Sequence, residues 1–374
     1  MVKKILVVGG DKKVDWKDLF AGQKVYDEEI QIERAHWDEI VLVNYSDSGV
    51  VLTLLRPNQP SLHYTPDFIL IRSAARGIYQ QDYRNILYGF MYSRIPSINT
   101  FDSLYLCQEK PLIYSRLNQI MKNVGKDTFP LIPQTYYGNW QAMSFHCGVP
   151  LVVKLGTCHS GFGKMRILSD GDFEDFRSVA ALQGSYITAE PFIEWDYDIR
   201  IQKIGHHYRA FRRTSTHWKG KSSNQQDEDI PVTDRYKKWV DLASEHFGMD
   251  VCAIDAVHSK SDDKEYILEL NDSAIGFNLR HKDEDFVHLR DLVLAKMMQE
   301  FAPKEQKKEI EEVSVDNEGN HADCFDSLPV EEQLVRLKLK VQQLEQELQN
   351  KNAAVEPTKS GSKNFISSLF GAKN

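Results

Sequence analysis

Residues 150–164 read Pro150-Leu-Val-Val-Lys154-Leu-Gly156-Thr-Cys158-His159-Ser160-Gly161-Phe162-Gly163-Lys164. A β-branched apolar run ending in a lysine has the pattern of a buried strand. The glycine-rich turn after it delivers a second lysine ten residues later. Glycines let backbone N–H groups close on phosphate oxygens, and lysines neutralise them. The stretch is not a Walker A loop. Gly156 and Gly161 have that spacing, but Phe162 stands where a lysine is required and Gly163 where Ser or Thr would bind magnesium. A glycine-rich hairpin folded over a nucleotide is the reading that fits, with an ordinary hairpin turn as the alternative.

A second stretch supplies the opposite charge. Residues 251–257 (Val-Cys-Ala-Ile-Asp-Ala-Val) and 265–271 (Glu-Tyr-Ile-Leu-Glu-Leu-Asn) have strand character and are joined by the polar run His258 to Lys264. A turn centred on Asp262 sets Asp255 directly opposite Glu269, with Cβ atoms about 4.5–5.5 Å apart. Period-two alternation puts Asn271 on the face of Glu269. Two carboxylates that close repel each other unless a cation lies between them or one stays protonated. With the amide they make a hard-oxygen set suited to Mg²⁺ or Ca²⁺ bridging substrate phosphates. A solvent-exposed acidic hairpin is the alternative, and the strongly apolar flanks argue for burial. Farther upstream, Tyr197-Asp-Ile-Arg200-Ile-Gln-Lys-Ile-Gly205 and Tyr208-Arg209-Ala-Phe-Arg212-Arg213 predict paired strands carrying Arg200 and Arg213. Arg209 shares the face of Arg213, and all three would face a phosphate; exposed edge arginines are the alternative.

Working outward, Lys4-Ile-Leu-Val-Val8, Phe68-Ile-Leu-Ile-Arg72 and Ile95-Pro-Ser-Ile-Asn99 read as strands, with helical spacing of apolar residues from Asp82 to Arg94 between the last two. That order suggests an open α/β domain over 1–110. Gly9-Gly10 lacks dinucleotide-fingerprint spacing and reads as a strand terminator. From Leu112 to Val124 the pattern is helical, then mostly strands, then helices near Arg235 to His246 and Phe286 to Met298, an α+β unit over 111–302. The segment 303–328 sets three lysines against eight Asp and Glu and reads as a disordered acidic linker. Val330, Leu334, Leu337, Val341, Leu344 and Leu348 then step at heptad spacing, a helix over 329–352 for self-association or a partner. The tail, 353–374, holds an amphipathic segment with Phe365, Ile366, Leu369 and Phe370 on one face, of the kind that lies in a membrane interface.

Composition narrows the class. The chain has 374 residues, 41% of them hydrophobic, enough for a sizeable core. Lys and Arg total 46 against 54 Asp and Glu, a net charge of -8 that argues against nucleic acid as a partner. Five widely spaced cysteines with no C-x-x-C pair look like reduced cytosolic thiols. No apolar run approaches the ~20 residues of a membrane span, so a cytoplasmic protein is expected.

In order, the strand-end lysine, the glycine-rich loop with its lysine, Ala189-Glu190-Pro191-Phe192-Ile193-Glu194, D-x-R, R-R and a closing E-x-N are similar to the ATP-grasp fold. More closely, residues 4 to about 303 resemble the central domain of synapsins. The phrases that carry this are Pro66 to Arg72, Ile95 to Asn99, Phe129-Pro-Leu-Ile-Pro-Gln-Thr-Tyr136, His159 to Lys164, and Thr188 to Ile193 with Tyr197 to Gly205. The resemblance implies a Rossmann-like pre-ATP-grasp domain over 1–110 and an ATP-grasp nucleotide-binding domain over 111–302. It assigns Lys110, Lys154 and Lys164, with the loop residues His159, Ser160, Gly161 and Gly163, to the ATP phosphates. The strand Ala189, Glu190, Pro191, Phe192 and Ile193 would hold the adenine through its backbone, Arg200 and Arg213 would face the phosphates, and Asp255 and Glu269 would bind the divalent ion, Mg²⁺ or Ca²⁺; Arg209 and Asn271 are further candidates for contact with ATP from the residue reading above.

The same resemblance implies a protein that self-associates as a dimer or higher oligomer, attaches peripherally to the cytosolic face of synaptic vesicles, and regulates vesicle clustering and neurotransmitter release. Two other readings stand beside it. One is a carboxylate–amine ligase working through an acyl phosphate, with Gly220 to Asp229 closing over the intermediate and Arg280 and His281 as candidates for a second basic pocket. The other is a scaffold in which nucleotide is merely structural. The chain departs from the synapsin pattern at four positions: synapsins typically have Glu where Asp255 stands, no amide at Asn271, glycine at Arg94 and lysine at Arg209. Arg212-Arg-Thr-Ser215 also matches a basophilic kinase site.

Overall fold

Side chains alternate between the two faces of a strand, so an apolar run without a polar break has to be covered on both sides. Ile5 to Val8 is such a run, and it forms the middle of β1 (Val2–Gly9). In the computed structural model, which describes residues 2–77, 81–144, 148–158, 161–215, 218–219 and 226–303, this strand is the centre of a five-stranded sheet. Its neighbours are β2 (Lys24–Val25) and β3 (Glu28–Ala35) on one side. A separate antiparallel sheet follows, β4 (Ile40–Tyr45), β5 (Gly49–Leu54) and β6 (Leu62–His63). The chain then returns to the other side of β1 with β7 (Phe68–Arg72) and β8 (Ser97–Ile98). The order is β2-β3-β1-β7-β8, with β1 parallel to β3 and β7 and β7 parallel to β8. Helices α1 (Trp16–Leu19), α2 (Arg84–Ser93) and α3 (Phe101–Leu106) complete this part, so the open α/β arrangement expected of the first third is present.

Two antiparallel sheets follow. Helix α4 (Lys110–Val124) starts two residues before the expected Leu112, because Pro111 fits the first turn, where its missing N–H costs nothing. One sheet has the order β11-β10-β12-β9, from β9 (Thr135–Tyr137), β10 (Leu151–Leu155), β11 (Lys164–Ile167) and β12 (Ile187–Pro191). Helix α5 (Asp170–Gln183) packs on it, started by a reciprocal capping box between Ser169 and Asp172. The other sheet runs β15-β14-β13-β16-β17, from β13 (Trp195–Ile204), β14 (His207–Thr214), β15 (Gln226–Ile230), β16 (Val251–Ser259) and β17 (Glu265–Asn271). Helices α6 (Asp234–Phe247) and α7 (Lys282–Glu300) cover its two faces. The α+β expectation for the second part is therefore also met.

The core explains how these parts are joined. Ile199, Ile201, Ile254 and Ile267 bury one face of the β13–β17 sheet against α4 and α6. On the other face, Ile204, Val251 and Ala253 share a cluster with Ile5 and Val7 of β1 and with Leu289, Val293 and Met297 of α7. Leu6 and Val8 point the opposite way, against Leu87 and Phe90 of α2. One helix thus seals two sheets, and residues 1–302 make a single compact unit. None of the described helices is long and apolar enough to cross a membrane. The acidic linker from residue 304, the heptad helix and the amphipathic tail lie outside the described residues.

Asn99 fastens the junction. It is fully buried, donates through Nδ2 to the Val251 carbonyl at 2.8 Å, and accepts from the backbone N–H groups of Asp250 and Val251 at 2.9 and 2.8 Å. Asn99→Ala strands buried backbone groups, so it should lower unfolding free energy by about 2–3 kcal/mol in urea titration. A change under about 0.5 kcal/mol would show that water or relaxation replaces the amide.

Candidate functional site

A cavity of about 640 Å³ lies between the two antiparallel sheets. On the upper sheet Lys154 of β10 and Lys164 of β11 are directly opposite in register. Alternation sends Val153, Ile187 and Ala189 into the core beneath α5 and leaves Lys154, Lys164 and Glu190 facing the cavity. Two ammonium groups facing each other across a strand pair repel. Lys154 is relieved by Glu190, at 2.8 Å and as deeply buried as its partner. Lys164 is not: among the described residues no carboxylate lies within ion-pair distance of it. Burial and Lys154 together push its pKa below the ordinary lysine value. Its flank is the Trp218 ring, 5.5 Å away. The turn that brings Lys164 here needs Gly163, whose φ of +70° and approach to the Leu155 carbonyl leave no comfortable room for a side chain.

The lower sheet carries the carboxylates. Asp255 and Glu269 are cross-strand partners, as the hairpin reading expected, but the geometry behind it differs. The turn half of the hairpin is shifted by one residue, and an extra residue on β17, Leu268, restores the pairing at Asp255. Without this bulge Glu269 would point into the core with Ile267. Arg200 grips Asp255 with Nε and a terminal nitrogen at 2.7 Å each, and Asn271 Nδ2 donates to the same carboxylate at 2.9 Å. Glu269 accepts from Lys110 Nζ at 2.8 Å. Lys110 holds the Glu269 carboxyl well below the usual carboxylate range against the opposing effect of burial. Burial works against the Lys110 ammonium, and Glu269 more than offsets it.

Lys110 is placed here by the start of α4. The preceding residue, Glu109, is bound by Arg76, by Arg84 at 3.3 Å and by Tyr186 Oη at 2.8 Å. That cluster ties the helix start to the loop after β7 and to the strand that carries Glu190. Arg213 also reaches the cavity; burial and then Arg200 lower its pKa, and its Nε has no hydrogen-bond partner. Pro191, Phe192 and Ile193 line the same cavity at the end of β12, as does Gly161. His159 and Ser160 lie outside the described residues. Arg209 does not join them. It shares a face with Arg213, but its guanidinium is held by Asp285 and Glu284 of α7 at 2.9 and 3.0 Å. Arg280 and His281 are likewise bound by Asp229.

Among the cavity residues that the sequence analysis did not select are Asp198 and Arg72. Asp198 lines the cavity opposite Arg213 in register, and burial followed by Asp255 raises its pKa to about 6. Its signal was present, because it sits two residues before Arg200 and so on the same face. Arg72, the last residue of β7, is the second, and nothing in its local sequence marks it. Hard-oxygen donors for a divalent ion are the Asp255 and Glu269 carboxylates and the Asn271 amide oxygen. No cluster of three or more His, Cys, Asp or Glu with metal-binding geometry occurs among the described residues. An ion at this pair would complete its shell with water and phosphate oxygens, the usual habit of Mg²⁺.

Lysines above, matched carboxylates below and a cavity between two antiparallel sheets define an ATP-grasp protein, and the likeness to solved structures agrees. The ATP-grasp ligase PsnB bound to a minimal precursor superposes with a TM-score of 0.55 at 16% identity, covering 79% of this chain and 99% of that one. Another PsnB complex contains Mg and ADP. D-alanyl-alanine synthetase A from Vibrio cholerae gives 0.53 at 13% identity, covering 79% and 98%. Residues 1–97 match the synapsin pre-ATP-grasp domain and residues 99–299 the synapsin ATP binding domain, so the chain belongs to the synapsin family. It is 35% identical over 309 residues to Synapsin of Drosophila melanogaster, covering 80% of this chain and 30% of the fly protein.

The Lys154–Glu190 pair offers a direct test of the site's electrostatics. Lys154→Met alone leaves a buried carboxylate without its cation and should cost about 3–5 kcal/mol of stability. The double variant Lys154→Met with Glu190→Leu should recover at least half of that in denaturant titration. Equal losses in single and double variants would mean the charges contribute through packing alone.

Proposed function

We propose that this chain is a regulated ATP-binding protein of vesicle surfaces, in which ATP and a divalent ion, Mg²⁺ or Ca²⁺, order the glycine-rich turn over the cavity. The observation that carries the reading is the facing pair Lys154 and Lys164, one buried and matched by Glu190 and the other half-buried with no carboxylate within ion-pair distance among the described residues. A polyphosphate is the anion that relieves such an arrangement. Pro191, Phe192 and Ile193 would then border the adenine, Lys110, Lys154, Lys164, Arg200 and Arg213 the phosphates, and Asp255, Glu269 and Asn271 the ion. On this reading the division near residue 110 separates a supporting domain from the nucleotide domain. Family membership supports attachment to vesicles, self-association and a role in vesicle clustering and neurotransmitter release. The chain spans under a third of the length of its Drosophila relative, so these whole-protein properties belong to the proposal.

Calorimetry should find ATP binding that strengthens about tenfold or more when Mg²⁺ or Ca²⁺ is added, with the gain lost in Glu269→Ala. Lys164→Met should weaken ATP about tenfold or more while leaving AMP nearly unchanged, because AMP lacks the outer phosphates. Absence of ATP binding with either ion would sink the reading. Following ADP and phosphate release in the same samples addresses the ligase alternative, which the Asn271 amide beside Asp255 favours. Steady turnover stimulated by an added carboxylate and amine would establish that alternative in place of a binding protein.

For membrane attachment, the full chain should float with liposomes containing anionic lipid, and removing residues 353–374 should reduce the floating fraction several-fold. Equal flotation with and without the tail would move the membrane contact elsewhere on the chain.

A further inference from the structure

The sheet β4-β5-β6 lines no part of the cavity, and only one of its faces is covered. Leu52 and Leu54 of β5 point into the core shared with α2. Leu42 and Asn44 of β4 lie on the same side, the latter donating through Nδ2 to the Gly89 carbonyl at 2.9 Å. Alternation turns Val41, Val43 and Tyr45 of β4 and Val51 of β5 to the opposite face. They are 47%, 47%, 51% and 48% exposed. Val41 pairs with Thr53, Val43 with Val51 and Tyr45 with Gly49, so the β4–β5 part of that face carries no charged side chain. An exposed apolar patch of this kind marks an interaction site.

β4 is also an open edge, because it stands at the end of its sheet. Antiparallel neighbours alternate between hydrogen-bonded and non-hydrogen-bonded pairs. The Leu55 N–H donates to the Glu39 carbonyl at 2.8 Å, so the odd-numbered residues of β4 bond to β5. The N–H and C=O groups of Leu42 and Asn44 therefore point to the open side, where no partner for them occurs among the described residues. Edge strands are ordinarily kept from pairing by proline, lysine, a bulge or shortness. β4 has six residues, Ile-Val-Leu-Val-Asn-Tyr, in unbroken register with β5 and with none of these devices.

Charge decides what the edge can accept. Asp38 and Asp47 stand exposed just beyond the two ends of β4, and neither has a cation within ion-pair distance among the described residues. A second copy adding antiparallel about a two-fold axis would bring Asp38 of each chain beside Asp47 of the other, and like charges so placed repel. Both acids also oppose an anionic membrane surface. We infer that β4 is a docking edge for an extended segment of another protein, which adds as a further strand with apolar side chains at alternate positions beside Val41, Val43 and Tyr45 and a basic residue at each end for Asp38 and Asp47. In strand addition the main-chain hydrogen bonds give affinity and the alternate side chains give specificity. The inference is independent of the nucleotide reading.

The test follows the fluorescence anisotropy of a labelled peptide of about nine residues, with lysine at each end and valine alternating with threonine between, titrated with the full chain. A saturable Kd below about 200 µM is expected, weakened about tenfold or more by Val43→Lys, which sets a charge in the middle of the exposed face. A glutamate-ended counterpart should bind the parent about tenfold more weakly, and should be the better ligand of the double variant Asp38→Lys with Asp47→Lys. N-methylation of alternate peptide amides should abolish binding when it removes the donors facing β4 and be tolerated on the other edge. No saturable binding up to about 2 mM overturns the inference, and so does binding that Val43→Lys, the end charges and N-methylation all leave unchanged. A parent dimer that Val43→Lys dissociates in sedimentation, with no peptide bound, would give the edge to a second copy and overturn it as well. Flotation with anionic liposomes that Val43→Lys removes, again with no peptide bound, would do the same in favour of a membrane.

Discussion

Like charges that face each other across a strand pair in a partly enclosed cavity repel unless each is answered, and this chain sets that condition twice. Lys154 faces Lys164 on one sheet, and Asp255 faces Glu269 on the other. The answers come from different parts of the chain. Glu190 is on the strand next to Lys154, Arg200 is on the strand next to Asp255, and Lys110 arrives at Glu269 from the start of a helix 159 residues earlier. Because that last partner is remote, the position of α4 is part of the site's electrostatics. The contacts of Glu109 with Arg76, Arg84 and Tyr186 are then more than surface ion pairs, since they fix the helix start. Of these four facing groups the one left without a counter-ion is the cation Lys164, which is what a phosphate-binding surface needs before its ligand arrives.

A single inserted residue makes the lower half of the arrangement possible. Ile267 and Leu270 both lie in the core shared with α4 and α6, although three residues apart they should point to opposite faces of a regular strand. Leu268 takes up the extra step, so that Leu268 and Glu269 both border the cavity. The bulge therefore decides which face carries the carboxylate: the same sequence paired without it would set Leu268 opposite Asp255 and turn Glu269 toward the core.

Much of this was legible. The uninterrupted apolar character of Ile5 to Val8 and of Phe68 to Ile71 required a covered parallel sheet, and that is what forms. The Asp255–Glu269 pairing was read correctly from a turn centred one half-step away from the true one, because the bulge compensates, and no sequence pattern marked the bulge. Arg209 illustrates a limit of another kind. Alternation correctly gives it the face of Arg213, but four residues along a strand is about 13 Å, enough to carry it from the cavity to beneath α7. Face can be read from periodicity; position along the face depends on what packs there. Arg72 was invisible for a similar reason, since its surroundings come from the loop at Ser273 to Ile275, 200 residues away.

Asp255 and Asn271 act together. An aspartate is one methylene shorter than a glutamate, so its carboxylate stays close to its own strand and depends on neighbours to fix its orientation. Arg200 supplies a two-point grip from β13, and Asn271, on the opposite neighbouring strand, donates to one of the same oxygens at 2.9 Å. The amide thereby spends an N–H on the carboxylate, on the same side of the sheet as Glu269. Asp255 is thus held from both flanking strands and has little freedom to turn.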